Sequence, residues 1–547
     1  MTILASDIKI FASEIMTDDT DGGQFMSGTV VQDGLENNIF QDISDLDRSR
    51  GRINLRKVYA AVVTSNQDTY LGVTCIMNSA PLDPGTEAFI FDFGSESTTR
   101  AQVEPFLFPQ TGWEDLGLYP KFIGSSTIGA TSIICYVRTP EAYASFLLQD
   151  PRGTLIRIVV TNSDEADVAY YFETTITSLY VATEVSTTIT FTIADALPYG
   201  IRGQADFSSL VDSSYRIVQG ANFWQQQFIY SVRLRGVTSV VGSLSNGALS
   251  VVTGGVVRRF GITGTSNPLY PYSGEAQYQR AYIFRVDDTI VVHHTGTIAA
   301  ATYANGNTVN VGRTRIAEFR VFGNDGLEVN VGFTGDKTTG ILTFTDVSSY
   351  VQPMTITSRI EDMTSIKSMT DAGGLKLNRA LTHDFPSGSY VSSAVVWGDL
   401  QARTHIGFQQ TSFNGVFNDT QDGSTPLADY NEGVNPITIT NAGAIYERWA
   451  ILFTGSTTFK VIGEQVGVVL NNGSTSTPTS PLNPATLVPY FTIPSAGWGA
   501  GWTAGNVYRF NTTATNKPLW LVRSVKPSDP YVGVDKVSIA VRGDVNA

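Results

Sequence analysis

Residues 315–333 read Arg-Ile-Ala-Glu-Phe-Arg-Val-Phe-Gly-Asn-Asp-Gly-Leu-Glu-Val-Asn-Val-Gly-Phe, and this run decides the fold class. Apolar and polar side chains alternate with a period of two on both sides of Asn324-Asp325-Gly326. Such alternation is typical of a half-buried β-strand, and Asp-Gly supplies the positive φ of a tight hairpin turn. The run therefore predicts an antiparallel hairpin whose apolar positions are Phe319, Val321, Leu327, Val329, Val331 and Phe333.

The same pattern recurs along the chain. Further predicted strands are Leu155 to Val160, Tyr170 to Ala182, Thr188 to Ile193, Ala281 to Val286 and Trp520 to Val525, with turns at Asn246-Gly247, Asn305-Gly306 and Asn472-Gly473. The best predicted helix is Thr139 to Leu148, with Thr139 as N-cap and Pro140 at its first position. We therefore expect a mostly β, multidomain protein, with antiparallel sheets of sandwich or small-barrel type and few short helices.

Composition shifts divide the chain into three consecutive units. They are a β-rich unit over 1–200 with a small barrel at 130–197, a middle β domain over 201–375 and a C-terminal β domain over 376–547. Inside the last unit, residues 471–483 are polar and predict a mobile loop. No repeat of 20 to 50 residues is visible, which argues against propellers and solenoids.

Composition excludes several classes of protein. The chain has 547 residues, a net charge of −14 and only 16% charged residues, well under the roughly 25% that is usual. Its 42% hydrophobic content is too high for a disordered chain. No apolar run approaches the roughly 18 residues of a membrane helix. The acidic balance argues against binding to nucleic-acid phosphates. We therefore expect neither membrane insertion nor a direct nucleic-acid partner.

Cys75 and Cys135 each adjoin apolar residues, which indicates buried thiols rather than a disulfide. The first residues lack the basic region and the apolar stretch of a signal peptide. The sequence thus predicts synthesis and folding in a cytoplasm.

The four histidines form no recognisable catalytic or metal-binding pattern. His293 and His294 are neighbours on a predicted strand, so their side chains point to opposite faces and cannot readily share one metal. His383-Asp384 and His405 would supply two parts of a nucleophilic triad, but no Gly-x-Ser-x-Gly elbow accompanies them. The preferred interpretation is four surface or hydrogen-bonded histidines.

Other short motifs are equally weak. Residues 18–22 and 419–423 resemble fragments of calcium loops but are better interpreted as solvated turns. Arg542-Gly543-Asp544 matches a cell-adhesion tripeptide and is interpreted as a terminal turn. Fifty acidic residues offer too many carboxylate pairs to nominate a glycosidase site. We expect no catalytic residue, no cofactor and no metal, and therefore no enzyme.

Two clusters are candidate subunit contacts. The first consists of Arg48, Arg50, Arg52 and Arg56, where the alternation of residues 50–55 predicts a strand with one charged face. That face would pair either with acidic residues of a partner subunit or with the neighbouring aspartates of its own chain. The second consists of Trp498 and Trp502, set among glycines, which predict a packed corner or a contact point.

Seven segments carry a resemblance to a known family. They read LASDIKIFAS at 4–13, GTVVQDG at 28–34, NNIFQDISDLDR at 37–48, GRINLRKVYAAV at 51–62, YRFNT at 508–512, PLWLVR at 518–523 and VRGD at 541–544. Together they resemble the N-terminal and C-terminal parts of a family of virion structural proteins of tailed bacteriophages, whose members are encoded among tail and baseplate genes. These motifs are structural rather than catalytic, so they imply a setting and no site.

The resemblance implies a tail or baseplate protein that acts by assembly with other virion proteins. It implies a location in the virion, with three or six copies around the tail axis. Sparse charge suits surfaces that become buried against other subunits. The alternatives are a tail tip that binds a receptor or host surface glycan, a capsule depolymerase, and a head or decoration protein.

Overall fold

The structure is a computed structural model, and parts of the chain lie outside the residues it describes. The described residues are 3–32, 35, 37–107, 110–115, 118–120, 127, 129–137, 155–160, 170–181, 188–198, 221–229, 232–255, 257–260, 279–329, 331–348, 350–369, 373–526, 528–531 and 536–545.

The described chain is mostly β, as predicted, and its strand pairs are antiparallel. Two short α-helices are described, α1 at Asp45–Arg50 and α2 at Arg100–Leu107, with 3-10 turns at Ala5–Asp7 and Ser495–Gly497. The first strands are β1 Ile8–Ile15, β2 Gly23–Val30, β3 Arg52–Val62, β4 Tyr70–Ser79 and β5 Thr86–Phe91. They are followed by β6 Gln110–Asp115, β7 Leu118–Pro120, β8 Ser132–Val137, β9 Leu155–Val160, β10 Tyr170–Val181, β11 Thr188–Ile193 and β12 Ala221–Ile229.

The remaining strands extend to the end of the described chain. Those before residue 378 are β13 Val237–Ser239, β14 Ser250–Val252, β15 Val257–Phe260, β16 Gln279–Tyr282, β17 Thr289–Ala301, β18 Thr308–Asn310, β19 Glu318–Phe322, β20 Glu328–Val329, β21 Phe333–Asp336, β22 Ile341–Phe344, β23 Met354–Met369 and β24 Gly374–Leu377. The last are β25 Tyr390–Leu400, β26 Arg403–Gln410, β27 Glu447–Phe453, β28 Thr458–Gly463, β29 Gly467–Ser474, β30 Val507–Thr513, β31 Lys517–Val525 and β32 Ser538–Val545.

The chain divides into two compact units rather than along the three consecutive stretches that the sequence predicts. One unit combines Met1–Glu104 with Val232–Ala547, and the other is Pro105–Ser231. The predicted boundary near residue 375 falls within β24, which forms a hairpin with β23. The boundary near 200 falls inside the Pro105–Ser231 unit. Local composition cannot reveal a unit built from two distant stretches of chain.

The Pro105–Ser231 unit contains a seven-stranded sheet in the order β6-β12-β9-β10-β11-β8-β7. The strands predicted at 155–160 and 188–193 are confirmed with the same ends. The small barrel predicted for 130–197 is wrong for the described residues, whose strands form the middle of this open sheet. The helix predicted at 139–148 lies outside the described residues.

The other unit is built around a β-sandwich. Its five-stranded sheet has the order β2-β1-β3-β31-β5, and its largest sheet has the order β14-β24-β23-β17-β25-β4-β32 along its main path. Val58 and Leu521 of the five-stranded sheet share one hydrophobic core with Cys75, Met77 and Val395 of the largest sheet. Burial of these faces is the main force that holds the two sheets together.

Two further cores belong to the same unit. The chain between the end of β17 and the start of β23 forms the small sheet β18-β22-β21 and the hairpin β19-β20. These elements surround a core that includes Val321, Leu342, Phe344 and Ile356. The closing part of the chain forms the sheet β26-β30-β27-β28-β29, over a core rich in aromatic side chains.

The hairpin that decided the fold class forms as predicted, although its second arm is short. β19 pairs with β20, and Gly326 has the positive φ of +77° that the turn requires. Val321 is fully buried, but Leu327 and Val331 are 67% and 64% exposed. The alternation therefore fails after the turn, since Phe333 already begins a strand of another sheet.

Three other local predictions need correction. Asn472-Gly473 is not a turn but lies in β29, where a Cβ on Gly473 would come within 2.1 Å of the Phe459 ring. The polar run 471–483 is anchored at Asn483, whose buried Nδ2 donates to the Gly443 carbonyl at 3.1 Å. The strand predicted at 281–286 ends at Tyr282. The turns at Asn246-Gly247 and Asn305-Gly306 are confirmed by positive φ at both glycines.

Candidate functional site

Several segments that carry the family resemblance come together in space, although 508–512 lies in β30 of the closing sheet. β3 pairs with β31 from Arg52 opposite Val525 to Ala60 opposite Lys517, and β4 pairs with β32. Asn54 and Arg523 are 469 positions apart in sequence, yet Arg523 Nη2 donates to Asn54 Oδ1 at 2.8 Å. We call strands β1–β5, β31 and β32, with α1, the split-sheet module.

A buried ion-pair network lies beside β3 in this module. Asp18, in the connection from β1 to β2, accepts from Arg52 Nη2 at 3.1 Å, from Arg56 Nη1 at 2.5 Å and from Arg100 Nη1. The same carboxylate accepts from Asn54 Nδ2 at 2.7 Å and from the Leu55 amide at 3.1 Å. We call this group the Asp18 network.

The Asp18 network balances its charges inside one chain. Burial by itself would raise the pKa of Asp18, but the hydrogen bonds and charges of Arg56, Asn54 and Arg100 outweigh it and hold the pKa at about 2. The side chains of Arg56 and Arg100 are only 6% and 1% exposed, so both need a counter-charge nearby. Arg56 has Asp18, and Arg100 has both Asp18 and Glu104, whose Oε1 lies 2.5 Å from Arg100 Nε. The arrangement makes a rigid scaffold rather than a reactive group.

The four arginines predicted as subunit contacts have different environments. Arg52 and Arg56 belong to the Asp18 network, and Arg48 Nη1 forms an ion pair with the buried Asp83. The predicted pairing with a neighbouring aspartate is observed for Arg52, whose Nη1 lies 3.3 Å from Asp47 Oδ1. Arg48 and Arg56 also form ion pairs within the chain, but with the distant Asp83 and Asp18. Arg50 is exposed and lies in α1 rather than on a strand, because Ser44 and Asp47 form a capping box that starts a helix.

Lys57 is the most deeply buried cation of the split-sheet module. Its Nζ donates to the carbonyls of Gln24, Ser95, Glu96 and Thr98 at 2.6 to 3.1 Å, and it lies over the ring of Trp520. Burial lowers the pKa of Lys57 to about 7, opposed by the charge of Glu96. The carbonyls favour the ammonium form, which alone carries three N–H donors. Lys57 thereby ties β2 and the loop after β5 to the centre of the sheet.

Trp498 and Trp502 form a packed corner, one of the two predicted alternatives. Trp502 is 1% exposed and stacks on Phe453 with ring centroids 4.2 Å apart, while Trp498 meets Tyr430 edge to face at 4.7 Å. Both rings belong to the aromatic core of the closing sheet. They stabilise this sheet through apolar burial and ring packing.

Three of the histidines, His293, His294 and His383, have hydrogen-bond partners among the described residues, as predicted. His293 Nε2 lies 3.0 Å from Ser392 Oγ, and His294 Nδ1 lies 3.2 Å from Ser389 Oγ. His383 contacts Asp362 rather than its sequence neighbour, with 3.0 Å between Nδ1 and Oδ1.

His383 does not have the surroundings of a catalytic triad. Its Nε2 lies 3.3 Å from the carbonyl oxygen of Arg315, which is a hydrogen-bond acceptor and no nucleophile. Asp384, its neighbour in the sequence, accepts instead from the Asn246 amide at 2.9 Å. His405 is exposed on β26, opposite Asn511.

The calcium-like loops use their carboxylates in ion pairs. Asp18 belongs to its network, and Asp419 accepts from Arg448 at 2.8 and 3.1 Å. In the described part of the chain, no group of three or more His, Cys, Asp or Glu side chains is placed to hold a metal. Arg542-Gly543-Asp544 is a strand segment of β32, not a turn, and Arg542 forms an ion pair with Glu361. Among the described residues, no helix has the length and hydropathy needed to cross a membrane.

Cys75 and Cys135 are buried free thiols, which confirms the prediction. Burial raises the pKa of both thiols, so both remain protonated at neutral pH.

Sequence reasoning missed the most connected carboxylate of the module. The sequence predicts only a turn around Asp18, since nothing in its neighbourhood along the chain shows that residues 52–56 fold over it. The spacing of Arg52 and Arg56 around Asn54 was the available signal, because alternate residues of one strand share a face and so converge on a single acceptor.

No protein-family model and no curated protein matches this chain.

Proposed function

We propose that this chain is a structural protein of a bacteriophage tail or baseplate, which acts by assembly with copies of itself and with other virion proteins. The proposal rests on the family resemblance. One structural observation supports it: the resembling segments 51–62 and 518–523, from opposite ends of the chain, pair as β3 and β31 of the split-sheet module. Segments shared for a structural purpose are expected to fold as one piece, and these two do, whereas 508–512 lies in β30 of the closing sheet.

The module also has the properties of a docking scaffold. Most of its buried charge is satisfied internally, by the Asp18 network and by the carbonyls around Lys57, which supports a surface whose shape does not depend on a ligand. The rest of the chain is inserted between β5 and β31. A family can therefore keep one scaffold and change the inserted units, since insertions between strands leave the scaffold's pairing intact.

Assembly requires surface that other subunits cover. Arg50 is the member of the predicted contact set that is exposed. Within the long connection between β26 and β27, Leu427 is fully exposed and Val434 is 74% exposed. Such side chains are tolerated singly on a monomer, but they gain most from burial in an interface.

The first experiment measures the mass of the purified full chain by sedimentation velocity across a range of concentrations. We expect a closed oligomer of three or six copies. Arg50→Glu should weaken this oligomer. Arg403→Glu is the matched control, since Arg403 is also an exposed arginine but lies on β26. Equal association of both variants would remove Arg50 from the interface.

The second experiment locates the chain in the particle. Gold-labelled antibodies against the chain should mark the tail end of virions made from the genome that encodes it. A strictly monomeric protein together with unmarked tails would overturn the proposal. Labelling of heads would favour the decoration protein, and glycan binding by a monomer would favour the tail-tip receptor.

A further inference from the structure

A cavity of about 310 Å³ lies between β17 and the small sheet inserted after it. Its walls are residues 294–298 of β17, Val311 and Arg313 from the loop region after β18, and Ser358 of β23. The size is at the lower end of the range for small-molecule sites. The side chains that line it are mainly polar.

Arg313 lies flat against one wall of this cavity. A Cβ on Gly296 would come within 2.7 Å of the Cζ, Nη1 and Nη2 atoms of Arg313, so the guanidinium would have to move if this residue were not glycine. The guanidinium presents its N–H donors in a planar fork. The glycine therefore leaves room for this fork beside the backbone of β17.

The charge of Arg313 lacks a counter-charge among the described residues. Its Nη1 is buried and has no hydrogen-bond partner within the described part of the chain. Burial lowers the pKa of Arg313, and no carboxylate acts in the opposite direction. A buried, unpaired donor of a cation is costly, and a carboxylate satisfies it with two parallel charge-assisted hydrogen bonds.

His294 lines the same cavity, and its hydrogen bond fixes its tautomer. The Ser389 hydroxyl donates to the Pro386 carbonyl at 2.6 Å, so its oxygen must accept from His294 Nδ1 at 3.2 Å. Burial and then the charge of Arg313 lower the pKa of His294, so the ring is neutral at pH 7. With its proton on Nδ1, the neutral ring presents Nε2 as a lone pair, which accepts from a hydroxyl group.

We propose that this cavity binds a small hydroxycarboxylate, with its carboxylate on the Arg313 guanidinium and its hydroxyl donating to His294 Nε2. A site with a cation beside a neutral acceptor prefers a hydroxycarboxylate to a simple anion, because a simple anion would pair with Arg313 and leave His294 Nε2 without a hydrogen bond. The inference does not depend on the proposed assembly function.

The test uses saturation-transfer difference NMR on the full chain at pH 7, with lactate and propionate as probes. The two carboxylates have nearly the same size and differ by the hydroxyl. We expect saturation transfer to the lactate methyl group and an affinity for propionate lower by roughly fivefold, the effect of one neutral hydrogen bond. Equal affinities would overturn the assignment of His294 as the hydroxyl acceptor.

Two variants separate this site from weak binding elsewhere on the surface. Arg313→Gln should lower the affinity for lactate roughly tenfold or more, because a charge-assisted bond is lost. Arg403→Gln, at an exposed arginine of β26, is the matched control and should bind lactate as the unmodified chain does. Arg313→Lys keeps the charge without the fork and should bind with intermediate strength.

Far-UV circular dichroism of each variant reports whether the chain is folded. Absence of lactate transfer to the unmodified chain, or equal transfer to the folded Arg313→Gln and Arg403→Gln variants, would overturn the proposal.

Discussion

Replacement of Asp18 by asparagine tests whether the Asp18 network stabilises the split-sheet module. The substitution keeps the size of the side chain and removes the charge that three arginines share. Arg56, which is 6% exposed, would then be a buried cation without a counter-charge among its described contacts. Removing one partner of a buried ion pair typically costs about 3 to 5 kcal/mol.

The pKa of Asp18 gives an independent magnitude. It is about 2 in the folded chain against an ordinary value of 3.8. Since each tenfold change in proton affinity is worth about 1.36 kcal/mol, the ionised carboxylate contributes about 2.5 kcal/mol of stability. Because the folded pKa is the lower one, this contribution is complete above about pH 4 and is lost as the pH falls through about 2.

Hydrogen exchange of peptides from β3 and β31, read by mass spectrometry, measures the loss locally. A local readout is needed because a chain with several cores does not unfold in one two-state step. Asp19→Asn is the matched control, since Asp19 is exposed and loses the same charge. At pH 7 we expect faster exchange of β3 and β31 in Asp18→Asn but not in Asp19→Asn. Between pH 5 and pH 2, the protection of these strands should fall less in Asp18→Asn than in the unmodified chain. Equal protection of β3 in both variants at pH 7 would refute the reasoning.

Two further predictions concern side-chain packing. Gly473→Ala should lower the free energy of unfolding of the closing sheet by about 1 to 3 kcal/mol, because the new Cβ would meet the Phe459 ring at 2.1 Å. Gly433→Ala is the control, since its new Cβ would have no atom nearer than 3.9 Å. Differential scanning calorimetry should show a lower transition temperature for the first variant and little change for the second. Cys75 and Cys135 should resist a thiol reagent at pH 8 in the folded chain, because each thiol is buried and has a raised pKa. Both should react in denaturant. Fast labelling of the folded chain would contradict this prediction.

The sequence predicted what depends on neighbours along the chain. Strands 155–160 and 188–193 were located to the residue, because alternation over six positions is decided locally. Asn472-Gly473 shows the limit of that reasoning. The dipeptide is a good turn sequence, but here glycine serves the approach of Phe459 from the paired strand β28. A cross-strand contact of this kind leaves no local signal.

The candidate site was predicted less completely than the fold. The sequence predicts pairing of the basic stretch with its neighbouring aspartates, and this holds for Arg52 with Asp47. The acceptors of Arg48 and Arg56 are Asp83 and Asp18, which lie outside that stretch and approach it only in the folded sheet. Alternation predicts a strand at Arg50, but the capping box at Ser44 starts a helix there instead.

The topology of the split-sheet module also orders its formation. Asp18, Arg52, Arg56 and Arg100 all precede residue 105, so the Asp18 network closes short loops. Lys57 is different, because Trp520 of β31 covers it, and β31 reaches β3 only by closing a loop of several hundred residues. Such non-local pairing is slow. We therefore expect β3 to carry an unpaired edge, open to a strand from another chain, until β31 docks against it.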